Sequence, residues 1–297
     1  MSKLSEVRKE YQKTISELKE VMLTNPKWVK DWVIGIRNFF GKTSYSVLNQ
    51  INLAMLMAFR GEHKEPYFAT FKQIKDRGYK LKKGSKGYPI YFYKPFEIEK
   101  EVEKEVVEID ENGDEVVKTE IVKVRKTIPL LKRYIVFNVE DIEGIEIPKE
   151  ETLELSKREI FERIRDEVTI TYGDPAWIVG EKKILMPRVA DFASQDAFLA
   201  ALLHEFSHYT HWKIGLMDID NVRGNKTYAF NEVVAETSAA VLCNILKVDY
   251  PLERHAGYLK SWGELLSDKE FEKALKEAGK VVDNIVAHLE KKAVKAA

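Results

Sequence analysis

The sequence predicts an α+β fold: an N-terminal α/β domain, then a mainly helical domain with a small sheet. Three features predict it. Residues 88–139 are dense in β formers, residues 194–213 and 227–247 are long apolar helical runs, and residues 140–150 form an acidic link containing a Gly and a Pro. The link sets the expected domains at 1–148 and 149–297.

Each element has its own reason. In residues 3–23, Leu4, Val7, Tyr11, Ile15, Leu18 and Met22 recur three or four apart, an amphipathic helix broken by Asn25-Pro26. A Trp-containing stretch, Lys27 to Phe40, follows. Residues 44–60 suit a largely buried helix, and 70–77 a short one ending at Gly78. The segment 80–87 (KLKKGSKG) reads as a loop of Lys and Gly. Strand chemistry begins at 88–98, and residues 99–126 alternate Val/Ile with Glu/Lys around Asn112-Gly113, a hairpin signal. Residues 133–139 predict another strand. Beyond the link come a helix over 151–166, short strands at 168–172 and 176–186, the two long helices, and two C-terminal helices parted near Ser267-Asp268, where Ser267 suits an N-cap.

Composition narrows the function classes. Hydrophobic residues make up 44% of the 297, enough for a core. The single cysteine, Cys243, excludes a disulfide framework and a Cys-based zinc site. The charged, helical start is unlike a secretory signal, and no apolar run approaches the roughly 20 residues of a membrane span. A soluble cytoplasmic protein without a membrane partner is expected. The balance of 48 Lys+Arg against 48 Asp+Glu hides an asymmetry: residues 1–90 carry 18 basic and 8 acidic residues, and the remainder is acidic. A basic first third suits a polyanion-binding module, and equally an ordinary solvated lysine surface.

The chemistry-bearing motif is His204-Glu205-Phe206-Ser207-His208, an HExxH inside an apolar helix. Residues four apart share a helix face, so His204 and His208 can reach one Zn²⁺ together. Glu205 is then placed as general base on a water that the metal activates. The next helix carries Glu232 and Glu236, again four apart, in apolar surroundings. One carboxylate completes a His₂Glu metal site with an open position, and the other braces a ligand histidine. The ExxxE spacing is similar to that of HExxH peptidases whose third ligand is Glu, and that resemblance implies Glu232 on the metal and Glu236 as the brace, with the reverse left open. Buried His and Glu held only by hydrogen bonds are the bland alternative, and a poor core. His211 could be a ligand, a substrate contact or a surface residue, and a surface position is expected. The strand–turn–strand at 176–187 suits an edge that lines the cleft and pairs with an extended peptide.

In the basic third, Lys72, Lys75, Arg77, Lys80, Lys82, Lys83 and Lys86 crowd into fifteen residues with Gly78 and Gly84 among them and Gly87 next. Tyr88, Tyr91, Phe92 and Tyr93 follow, and Trp28 and Trp32 lie upstream. Lysines hold phosphates and aromatic faces stack unpaired bases, so the mixture suits single-stranded nucleic acid better than duplex. Strand alternation allows one set to be exposed, Tyr91 with Tyr93 or Tyr88 with Phe92.

Taken together these segments resemble the plasmid antirestriction protein C (ArdC) family over roughly residues 25–250. Trp28 and Trp32 look like its spaced tryptophans, and Tyr45 to Asn49 like its Y-x-G-x-N segment. Thr70-Phe71-Lys72-Gln73 with Gly78 and Lys83-Gly84-Ser85-Lys86-Gly87 is similar to its TFKQ…G…KGxKG signature. Val136–Val139 with Ile142-Glu143-Gly144, and Tyr228-Ala229 with Glu232–Glu236, match two further elements. The chain departs at Val47 (Gly in the family), Asp141 (Gln) and His211 (Gly), and its hairpin over 97–126 is longer.

The resemblance implies an N-terminal single-stranded DNA-binding domain, a C-terminal zincin-like metallopeptidase domain, and plasmid or phage biology in which DNA is shielded from restriction. It adds Tyr45, Asn49 and Gln73 to Trp28, Trp32, Lys72, Lys82, Lys83, Lys86, Tyr91 and Tyr93 as expected DNA contacts. Two functions are therefore expected of one chain: a DNA-associated zinc peptidase acting on an unnamed protein substrate, or a DNA-protecting protein whose metal domain is silent.

Overall fold

The computed structural model describes residues 3–25, 35–109, 115–147, 154–217, 219, 225–250 and 259–293. Trp28, Trp32 and the Asn112-Gly113 turn lie outside them. The chain divides into two compact units, Met1–Lys9 with Tyr91–Tyr134, and Glu10–Ile90 with Ile135–Ala297. Among the described residues no helix is long and apolar enough to cross a membrane.

Helix α1 (Lys3–Thr24) buries Tyr11, Ile15, Leu18 and Met22, the stripe its spacing predicts, while Leu4 stays exposed. Helix α2 (Val47–Arg60) is buried nearly all round, Asn49, Gln50 and Asn52 included, and Gln50 and Asn52 donate to the Tyr45 and Pro89 carbonyls. It starts at the N-cap Ser46 and stops at Gly61, whose left-handed backbone (φ 63°) a side chain would strain. A capping box, Thr70 with Gln73, begins the short α3 (Phe71–Asp76).

Four strands make the first sheet: β1 (Arg37–Asn38), β2 (Tyr67–Thr70), β4 (Tyr88–Ile109) and β5 (Glu115–Asn138), in the order β1-β2-β5-β4. Strand β1 runs parallel to β2, and β2 antiparallel to β5, with Ala69 opposite Phe137. The separate strand expected at 133–139 is instead the end of β5, which runs through Pro129 without a turn. Over residues 92–107 and 117–127 nearly every side chain of this hairpin is exposed, and Glu99 and Glu101 pair with Arg125 and Lys123.

Strand β3 (Lys80–Leu81) pairs with β6 (Ile142–Glu143), so the first part of the acidic link belongs to the fold: Val139 and Ile142 sit in a small core with Tyr67, Ala69 and Ile74. Gly87, at the end of the Lys/Gly loop, has a packing reason, since a Cβ there would lie 2.1 Å from Ile135.

The second half of the chain is helical. Helix α4 (Lys157–Arg165) opens on a capping box, Ser156 with Glu159. A three-stranded sheet follows, with β9 (Lys183–Met186) parallel to β7 (Thr169–Tyr172) and antiparallel to β8 (Ala176–Trp177). Helices α5 (Gln195–Lys213), α6 (Lys226–Ile245) and α7 (Asp268–Ala293) pack on one another. Ser267 and Glu270 cap α7 as the sequence predicts, and α7 also touches α2 and α4.

Glu167 ties this framework together. Its Oε1 accepts the Tyr209 hydroxyl and the Lys213 ammonium of α5, both at 2.7 Å, with Lys182 at 3.6 Å. Burial opposes its ionisation, but the hydrogen bonds and charges of Lys213, Tyr209 and Lys182 prevail and bring its pKa down to about 2. A depressed carboxylate stabilises the fold above its ordinary pKa of 4.5, and that contribution is lost as pH falls from 4.5 towards 2. Glu167→Gln should therefore lower Tm most at neutral pH, and its Tm should converge on that of the parent protein as acid is added. Parallel thermal melts across this window measure it.

Candidate metal centre

The HExxH helix is apolar on more than one face. Phe198, Leu199, Leu202, Leu203, Phe206 and Tyr209 are all buried, so α5 is an internal helix and its polar residues need internal partners. Ser194 accepts the Ala197 N–H at its start. Asn225 does the same for Tyr228 at the start of α6. The two helices pack face to face and bring the predicted ligands together.

The Nε2 atoms of His204 and His208 lie 3.1 Å apart, with the rings nearly perpendicular at 81°. Glu232 directs Oε2 at His204 Nε2 (3.6 Å) and Oε1 at His208 Nε2 (3.5 Å). Ligands about 2.0–2.1 Å from a tetrahedral ion are separated by about 3.3 Å, so these spacings fit one small divalent cation. One ligand atom from each of His204, His208 and Glu232 lies within 4.8 Å of the others.

Glu236 stands behind. Its Oε1 is 3.5 Å from His204 Nδ1, and its Oε2 accepts the Tyr250 hydroxyl at 2.6 Å. Thus Glu232 faces the Nε2 atoms of both histidines, and Glu236 lies on the Nδ1 side of His204. Burial and the Glu236 charge raise the Tyr250 pKa well above the ordinary value, which keeps its hydroxyl a donor. Burial disfavours charge on His204, but Glu236 and Glu232 outweigh it and raise its pKa well above 6.5. Three carboxylates against two imidazoles make this buried cluster short of positive charge.

Glu205 points toward the small sheet. Its Oε2 accepts the backbone N–H of Trp177 in β8 at 2.7 Å. The predicted edge strand therefore lies beside the metal-binding helix and fixes its general-base candidate. The Trp177 indole N–H is spent on the Glu181 carbonyl, and its ring lies against Trp212.

His211 is not the surface residue expected. It is 1% exposed, and its Nε2 meets Glu277 Oε2 of α7 at 2.8 Å. Tyr250 and Glu277 carry no motif and are far from HExxH in sequence, so only the packing of α6 and α7 reveals them.

The expected DNA contacts divide. Lys72, Lys82, Lys83, Lys86 and Tyr93 are exposed. Lys82 reaches the Glu140 carbonyl and Lys86 reaches Glu62. Tyr91 is buried, while Phe92 and Tyr93 are both exposed, so strict alternation fails at the start of β4. Tyr45 and Asn49 are buried in the fold, and Gln73 is used as the α3 cap. Trp28 and Trp32 lie outside the described residues.

With the geometry in place, comparisons with known proteins agree with both halves. Residues 5–137 match the N-terminal domain of anti-restriction factor ArdC, and residues 156–280 match a zincin-like metallopeptidase. Two Escherichia coli proteins named DNA primase TraC are similar along nearly the whole chain. One is 28% identical over 303 residues, covering 97% of this chain and 28% of the relative, and the other is 27% identical, covering 96% and 20%. The chain therefore spans about a quarter of the length of these relatives. The crystal structure of antirestriction ArdC protein from R388 plasmid with Mn(II) bound superposes with a TM-score of 0.68 at 24% identity, covering 94% of this chain and 97% of that one. Its metal-free form gives 0.66 at 23%, covering 95% and 98%. At that identity the likeness is one of fold.

Metal binding should couple to stability, because the ion relieves a buried negative surplus. His204→Ala or His208→Ala should cut bound divalent metal, read by elemental analysis, from about one per chain to near background. Chelation should lower the parent protein's Tm and leave that of the double histidine variant unmoved. Full occupancy in the double variant would place the metal elsewhere.

Proposed function

Because the chain pairs an ArdC N-terminal domain with a zincin-like metallopeptidase domain and so is of the ArdC family, we propose that it binds single-stranded DNA through its N-terminal domain and hydrolyses peptide bonds at a zinc site in its C-terminal domain. The boundary between the two is proposed at 148/149. The observation that carries the reading is the joint geometry of His204, His208 and Glu232 with Glu205 fixed beside them by the Trp177 N–H.

His204, His208 and Glu232 would hold the ion, and Glu236, itself steadied by Tyr250, would set the His204 ring. A bound Zn²⁺ would supply the Lewis acid that makes water nucleophilic near neutral pH. Glu205 would take a proton from that water and return it to the leaving amine. The Trp177 N–H suits this role, since one carboxylate oxygen is anchored and the other is left for the proton. A purely structural ion has no need of such a base. The β8 edge would lie along an extended peptide, and the protein substrate itself is unnamed.

Support for the DNA half comes from the basic first third and from relatives named as a DNA primase. Exposed Lys83 and Lys86 flank a turn whose Gly84 has φ 90°, a conformation that opens the backbone to a phosphate. Arg60 buttresses that turn: it donates to the Lys86 and Gly87 carbonyls and lies 3.9 Å over the Tyr88 ring.

Two measurements on the full chain test the reading. Lys83→Glu with Lys86→Glu should weaken binding to a single-stranded oligonucleotide and reduce the salt slope by roughly 1.4, the release expected from two phosphate contacts. Glu205→Gln should abolish cleavage of casein while keeping metal and DNA affinity. If Glu205→Gln still shields DNA from a restriction nuclease, protection needs binding alone and the peptidase serves another end. If shielding is lost at unchanged affinity, cleavage is part of protection.

A further inference from the structure

Three planar side chains that no motif singles out meet on the N-terminal domain. Phe40 and Tyr79 stack with ring centroids 6.1 Å apart and planes 29° from parallel, and the Arg77 guanidinium lies 4.4 Å from the Phe40 centroid. Arg77 and Tyr79 are exposed and Phe40 is half-buried.

The backbone builds this cluster deliberately on two sides. Helix α3 ends with the Gly78 N–H on the Lys75 carbonyl and the Tyr79 N–H on the Ile74 carbonyl, and Gly78 is left-handed at φ 78°. That helix-ending turn reverses the chain between Arg77 and Tyr79, so that both side chains meet Phe40. On the other side, residues 39–43 form a tight loop. The Asn38 N–H reaches the Thr43 carbonyl, the Gly41 N–H reaches Asn38 Oδ1 (2.6 Å), and Lys42 adopts φ 52°. Within that loop Phe39 lies edge-on against Tyr67, and Phe40, which packs on the same small core, also meets Arg77 and Tyr79.

A buried amide pair locks the two sides together. Asn38 Nδ2 donates to Gln73 Oε1 (3.0 Å), and Gln73 Nε2 donates back to Asn38 Oδ1 (3.1 Å). Asn38 Nδ2 also reaches the Tyr45 hydroxyl (3.1 Å). Tyr45 and Gln73, expected from the sequence to touch DNA, are here the frame that sets the positions of Phe40 and Arg77. Interlocked amides of this kind fix a geometry more than they add stability. The surroundings are cationic: Lys72, Lys75, Lys80, Lys82 and Lys83 accompany Arg77, against Asp76 and, across the β3–β6 pair, Glu143.

We propose that Phe40, Arg77 and Tyr79 form a preorganised platform on which unpaired bases of a single-stranded nucleic acid stack. The site rests on the DNA-binding reading above and gives it residues. Guanidinium planes and tyrosine rings both accept a base face, and lysines around them take the phosphates. Stacking needs no particular base, so the site reads strandedness and not sequence. Duplex bases, already stacked, gain nothing from it.

Stacking and charge separate by salt. Fluorescence anisotropy of the full chain with oligonucleotides of about 15 nucleotides, dT and rU, read at several salt concentrations, tests the platform. Tyr79→Leu and Arg77→Lys should each weaken binding by about 5- to 100-fold at every salt concentration with the slope unchanged, because a ring or a plane is lost and no charge is. Tyr79→Phe, which keeps the ring, should restore the affinity. A dT arm that responds while the rU arm does not would assign the platform to DNA, and equal responses to single strands of either sugar. Parent-like affinity in Tyr79→Leu and Arg77→Lys, with circular dichroism showing both folded, would overturn the platform and leave the DNA-binding reading standing. No binding of either strand by the parent protein would overturn both.

Discussion

An excess of negative charge buried between α5 and α6 is the constraint that the C-terminal half must satisfy. Glu205, Glu232 and Glu236 are set among apolar side chains with two imidazoles to balance them. Each has a partner of a different kind. Glu205 takes a backbone N–H, Glu236 takes a tyrosine hydroxyl, and Glu232 faces two imidazole nitrogens whose spacing suits an ion. Removing one partner from such a buried cluster costs on the order of 3–5 kcal/mol, so the arrangement resists drift. The surrounding elements serve the same end. Helix α7 holds the C-terminal end of α5 through Glu277 and His211, and Glu167 holds the opposite face of α5 through Tyr209.

How far this was legible follows from the physics of each element. Helices α1, α2, α5 and α6 stand out because apolar spacing over three or more turns has few other readings. The metal ligands stand out because chemistry demands fixed residue types four apart on a helix, and both pairs obey it. His211 misleads for the same reason. Its place near the His204 face suggests exposure at a cleft, whereas its partner Glu277 lies 66 residues on, where no local pattern can announce it. Tyr250 and the Trp177 N–H are hidden alike, one by distance along the chain and one because a backbone group has no identity in sequence. The segment at 133–139 reads as a new strand because Pro129 punctuates the run before it, but β5 continues through that proline.

The two domains are legible in opposite ways. In the C-terminal half the residues that make a recognisable motif are those that come together as candidate metal ligands. In the N-terminal half, Tyr45 and Gln73 belong to recognisable segments, yet both are spent on holding Asn38, Tyr45 buried and Gln73 half-buried. The difference lies in what each task asks of a side chain. A metal accepts few donors at narrow distances, so its ligands must be particular residues. A base face accepts any flat group that is exposed and correctly placed, so the contacting residue is interchangeable while the frame that aims it is not. An amide pair interlocked in this way has few substitutes: a carboxylate or an aliphatic in place of Gln73 would remove one hydrogen bond from Asn38 Nδ2 or Oδ1, at about 0.5–1.5 kcal/mol, and leave the Tyr45 hydroxyl and the Gly41 N–H as their remaining partners. Sequence signatures therefore mark the frame in one domain and the chemistry in the other. The exposed groups that the frame positions must be found by following its hydrogen bonds outward to the surface.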